Sequence, residues 1–103
     1  MTGRYFAVFA TDKPDMAATR ERVRQAHRAY LRAPDKPVVV RLGGPTLSPD
    51  GMRMIGTLLV VEAESQAEVE RFLDGDPYVR NGVFEQVLIR PWQWGLGNPD
   101  QRV

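Results

Sequence analysis

A β-strand points successive side chains to opposite faces of its sheet. Residues 4–10, RYFAVFA, set Tyr5, Ala7 and Phe9 on one face and Phe6, Val8 and Ala10 on the other. Residues 54–62, MIGTLLVVE, set Ile55, Leu59 and Val61 against Met54, Leu58 and Val60. Both strands are apolar on both faces. A sheet built from them has to be covered twice, and this decides what else the chain must supply.

Helical periodicity supplies only one layer of cover. A first helix is expected after TDKPD, with Asp12 as its cap and Pro14 in its first turn. It should run to about Leu31 or Arg32, where Pro34 helps to stop it. Met16, Val23, Ala26, His27, Tyr30 and Leu31 follow the helical repeat, leaving Glu21, Arg22, Gln25 and Arg28 on the wetter side. A second helix is expected behind the capping box of Ser65 and Glu68, ending at Gly75 in the left-handed conformation. Residues 38–42, VVVRL, and 83–90, VFEQVLIR, read as further strands. Residues 43–51, GGPTLSPDG, read as a long loop joining the second and third strands into a hairpin.

The order is β-α-β-β-α-β, an α+β, ferredoxin-like arrangement with a four-stranded antiparallel sheet. Right-handed crossovers place both helices on one face. At ~25 cal/mol per Å² of apolar surface, leaving the other face wet forgoes several kcal/mol. An exposed apolar face of that size marks an interface, so a homodimer joined sheet to sheet is expected. The competing reading is a monomer whose tail, with Trp92 and Trp94, folds across the open face.

Bulk properties exclude several partners. The 103 residues, 43% hydrophobic and 26% charged, are expected to form one domain over 1–103, with a polar tail from about residue 95. A net charge of +1 gives no field to draw the chain to nucleic acid or an anionic membrane. The absence of cysteine excludes disulfides, thiol catalysis and thiolate-bound metal. No apolar run reaches the length of a membrane span, and the N-terminal run lacks the core and cleavage site of a signal peptide. A cytoplasmic location is expected.

The single histidine, His27, falls on or beside the sheet-facing side of the first helix, with Arg20 and Arg24 on roughly the same stripe. A neutral imidazole there needs partners for both ring nitrogens. Backbone or water serves in a structural reading. In a functional reading, Asp76 or a bound anion does. Asp76-Pro77 is itself a common start to a short helical turn, PYVRN, closed by Gly82. The two roles of Asp76 are compatible: one carboxylate oxygen caps while the other faces the ring.

The pattern R-x-x-x-R-x-x-H-x-x-Y-L at residues 20–31, the GGP loop, the strand GTLLVVEA and the segment DPYVRNGVFEQVLIRPW together resemble the YCII-related (YciI-like) family. The resemblance covers almost the whole chain. It implies a dimeric α/β barrel of ferredoxin-like subunits and a His-Asp pair in a pocket, here His27 and Asp76. It places Gly44 and Pro45 on a loop near that pocket and Tyr78 on its usual aromatic. Thr57 stands where the family often has serine, which keeps the hydroxyl and adds a methyl group. Some relatives are associated with dehydrochlorination of aromatic breakdown products.

His27, with an unperturbed pKa near 6.5, suits general acid–base work at neutral pH, with Asp76 orienting the ring. No activated serine stands out for acyl transfer, and a lone histidine with scattered carboxylates makes no zinc site. No phosphate-loop or dinucleotide fingerprint is present. The expected function is binding of a small organic, anionic ligand, with cofactor-free lyase or isomerase chemistry. Arg20 and Arg24 are expected to hold the anion, and Thr57 and Tyr78 to add polar contacts. The alternatives are a non-catalytic ligand-binding or accessory module, and a dimer in which the pair is purely structural.

Overall fold

The computed structural model describes residues 4–34 and 36–99. Its elements are β1 (Tyr5–Asp12), α1 (Ala17–Arg32), β2 (Val39–Leu47), β3 (Met54–Glu62), α2 (Gln66–Asp74), α3 (Pro77–Arg80) and β4 (Phe84–Trp92). The four strands form one antiparallel sheet in the order β2-β3-β1-β4. The fold is α+β and ferredoxin-like.

Register divides the sheet into two unlike faces. Phe6 pairs with Val61 and Val8 with Leu59, and all four side chains are buried under the helices with Val69, Phe72 and Leu73. On the opposite face Phe9 pairs with Leu58 in β3 and Leu88 in β4. These three remain 47%, 40% and 43% exposed. Trp92 and Trp94 gather edge-on around Tyr5 at one end of the sheet and leave that apolar centre open. The tail of the described chain therefore does not cover the face. Residues 100–103 of the expected polar tail lie outside the described residues.

Three local expectations are corrected. The loop predicted at GGPTL is strand: Gly43, Gly44 and Pro45 pair with Leu59, Leu58 and Thr57. β2 lies at the sheet edge, where a proline lacking its N–H is tolerated. Gly75 ends α2 at φ −90° and ψ −6°, so no left-handed conformation explains it. A side chain there would force Tyr30 to shift, because a Cβ would lie 2.5 Å from the Tyr30 hydroxyl, which donates to the Phe72 carbonyl. Gly82, at φ 68°, does close the turn after α3 in the left-handed region.

The third correction concerns Asp12. It does not cap α1, which begins at Ala17 behind Asp15 at φ 61° and has no side-chain cap. Asp12 ends β1, and its carboxylate takes two hydrogen bonds from Arg20, from Nε at 2.6 Å and Nη2 at 3.1 Å. Both side chains are almost fully buried. Removing one partner of a buried pair leaves a desolvated charge. Asp12→Ala is expected to lower stability by about 3–5 kcal/mol in urea unfolding at unchanged slope. A loss below about 1 kcal/mol would show the pair to be a solvated one.

Candidate functional site

The Asp-Pro-Tyr turn carries both roles anticipated for its carboxylate. Asp76 is the N-cap of α3, with Pro77 in the first turn, and its Oδ1 accepts the Tyr78 N–H at 3.0 Å. The expected division between the two oxygens is corrected: the same Oδ1, not the second oxygen, lies 2.7 Å from His27 Nδ1. Asp76 is 1% and His27 7% exposed. Helix phase supplies the other half: Arg20, Val23 and His27 are the buried residues of α1 and face the sheet and α3. An oxygen already accepting a backbone N–H is best matched by a protonated Nδ1, which leaves the lone pair of a neutral ring on Nε2. No protein group among the described residues bonds Nε2, and it is not sealed away from solvent.

The ring is held flat as well as anchored. The Tyr78 phenol stacks on the imidazole with centroids 3.7 Å apart and planes 10° from parallel. The Arg20 guanidinium lies 4.8 Å from the centre of the Tyr78 ring. Beneath these groups, Tyr30 presses on Gly75 just before Asp76. Burial first, then the Asp76 and Asp74 carboxylates, push the Tyr30 phenol above its ordinary range.

A cavity of about 680 Å³ opens between α1 and the β2 edge. Its walls include Arg20, Arg24, His27, Gly44, Pro45, Thr57 and Tyr78. Seven of the eight residues singled out in the sequence thus share one cavity, and Asp76 stands behind His27. Their roles in the geometry differ. Arg20 is committed to the protein: beyond Asp12, its Nη2 donates to the Gly56 carbonyl at 2.7 Å and to Thr57 Oγ1 at 3.0 Å. The Thr57 hydroxyl is accordingly drawn toward Arg20. Arg24 reaches Glu21 at 3.1 Å and the Met54 sulfur at 3.9 Å, and stays partly exposed. Apolar wall comes from Leu31, Val38, Val40 and Leu59.

Two features were not found in the sequence. Local spacing suggests a helix cap for Asp12, and nothing in it reveals Arg20 as the partner. Arg28 and Arg32 also line the cavity. Their signal is a four-residue spacing continuing from Arg20 and Arg24; Arg28 is exposed, as its place on the wetter side of the helix predicts, and lines the cavity from there. Among the described residues no cluster of three or more His, Cys, Asp and Glu side chains is placed to hold a metal. None of the helices described is long and apolar enough to cross a membrane.

The YCII-related domain model matches residues 5–93. Protein YciI of Escherichia coli is 30% identical over 93 residues, 85% of this chain and 95% of that protein. An uncharacterized protein of Haemophilus influenzae is 26% identical over 86% of this chain and 96% of its own length. The structure of 5-chloro-2-hydroxyhydroquinone dehydrochlorinase from Burkholderia phenoliruptrix, in complex with 2,5-dihydroxybenzoquinone, superposes with a TM-score of 0.72. That enzyme is 33% identical, over 86% of this chain and 93% of its own. A Pseudomonas aeruginosa protein, 16% identical with a TM-score of 0.52, shares the fold. With the domain match spanning nearly all of the described residues, this chain belongs to the YCII-related family.

Proposed function

We propose that the protein binds a small organic anion and moves a proton on it without a cofactor, as a lyase or isomerase. The observation that carries this reading is the buried His27–Asp76 pair at 2.7 Å, with Nε2 left open beside the cavity. Nε2 takes a proton from an acidic C–H or O–H of the bound molecule. The electron pair left behind forms a π bond. If a neighbouring carbon carries a leaving anion, that anion departs and the reaction is an elimination. If not, the imidazolium returns the proton to a different carbon and the reaction is an isomerisation. Asp76 stabilises the imidazolium throughout and stays ionised. The likeness to a dehydrochlorinase supports elimination from an activated ring.

The open sheet face supports a second part of the proposal, a homodimer with its sheets apposed. Phe9, Leu58 and Leu88 form the centre of that face, with Leu42 exposed on its edge strand. Apposing two copies removes this surface from water at ~25 cal/mol per Å².

With 5-chloro-2-hydroxyhydroquinone as probe, chloride release is expected, and His27→Gln should cut it by about 10²–10⁴-fold while melting stays cooperative. A His27→Gln protein with undiminished turnover, or a wild type whose His27 resonances respond to no phenolate or carboxylate, contradicts the reading. Gel filtration with light scattering should give twice the chain mass for the wild type and the single chain mass for Phe9→Lys. A wild-type monomer at high concentration contradicts the sheet-to-sheet dimer.

A further inference from the structure

The charge around the cavity is one-sided. The whole chain carries 14 Lys and Arg against 13 Asp and Glu. Yet Arg20, Arg24, Arg28, Arg32 and Lys36 line the cavity, and among the described residues no aspartate or glutamate lines it with them. These cations are not equally available. Arg20 is spent on Asp12, Arg24 is shared with Glu21, and Lys36 lies 3.3 Å from the centre of the Tyr30 ring. Arg28 and Arg32 have no carboxylate partner among the described residues.

Helix geometry fixes where these two stand. Each four-residue step along α1 advances the row of arginines by about 40°, so Arg24, Arg28 and Arg32 turn progressively from the buried position of Arg20 toward solvent while still lining the cavity. Arg28 and Arg32 lie one and five residues beyond His27, about 1.5 Å and about 7.5 Å further along the axis. The deep end of the cavity therefore offers the imidazole and the Tyr78 ring. The outer end offers two guanidiniums that no carboxylate of the described residues pairs, in a cavity walled also by Leu31, Val38 and Val40.

Building on the ligand-binding reading of this cavity, we infer that its substrate is an aromatic or unsaturated molecule bearing an anionic arm. Arg28 and Arg32 bind the arm while the reacting atoms meet Nε2 of His27. Guanidiniums bind carboxylate and phosphate oxygens through paired N–H groups, so the arm is one of these. Arg28 and Arg32 are thus specificity residues, and the reacting end needs no charge of its own.

Isothermal titration of the full chain with 4-hydroxyphenylacetate, its methyl ester and 4-hydroxybenzylphosphonate tests this. The acid should bind about ten-fold more tightly than the ester, the weight of one charge-assisted hydrogen bond in partly wet surroundings. In the Arg28→Gln, Arg32→Gln double variant, whose altered side chains are both exposed, that preference should vanish while ester binding persists. His27→Gln should keep the preference, which separates this inference from the proton-transfer reading. The larger gain, for carboxylate or phosphonate, identifies the arm, and either gain upholds the anion site. Equal binding of acid and ester, no binding of the acid, or a preference that survives the double variant overturns it.

Discussion

A carboxylate that is 1% exposed is tolerated only when its oxygens are fully engaged. Asp76 answers that demand through one oxygen, Oδ1, which holds two partners, the Tyr78 N–H and the His27 ring. Each partner is fixed by a different part of the chain. The N–H is delivered by the local turn that Asp76 itself starts, with Pro77 setting the backbone. The imidazole arrives from α1, 49 residues earlier in sequence, and only because α1 packs on α3 with Val23 and His27 inward. The stacked Tyr78 ring leaves the imidazole little freedom to rotate. Anchoring one nitrogen and flattening the ring fixes where the other points, and this directional constraint is what the proposed chemistry uses.

The fold was legible because its patterns are local. Strand alternation marked β1 and β3, and the Ser65 capping box marked α2, whose first turn does bond Glu68 N–H to Ser65 Oγ. The errors lie where tertiary context overrode local chemistry. GGPTL has the composition of a loop, yet it pairs along an edge where Pro45 needs no donor. Gly75 suggested a left-handed stop, yet what crowds a side chain there is the Tyr30 hydroxyl. Asp12 suggested a cap, yet Arg20 claims it across the turn at Asp15.

The site was legible in the same uneven way. The meeting of His27 with Asp76 followed from helix phase together with the family's motif, and the geometry brings them together. What charge each arginine retains was not legible. Arg20 and Arg24 looked equivalent on one stripe, but depth separates them: Arg20 sits under the sheet rim among acceptors, while Arg24 and its successors stay near water. A cation with buried partners orders the protein around it. One without them is free to meet a ligand.

The central claim concerns the free nitrogen of the ring, so ¹⁵N NMR of His27 in the unliganded protein tests it most directly. In the neutral ring, Nδ1 is expected to carry the proton, shielded from exchange by Asp76, while Nε2 shows the shift of a bare lone pair and moves when a phenolate is added. A ring with its proton on Nε2, or an Nε2 signal indifferent to every ligand, would contradict the assignment of His27 as the base.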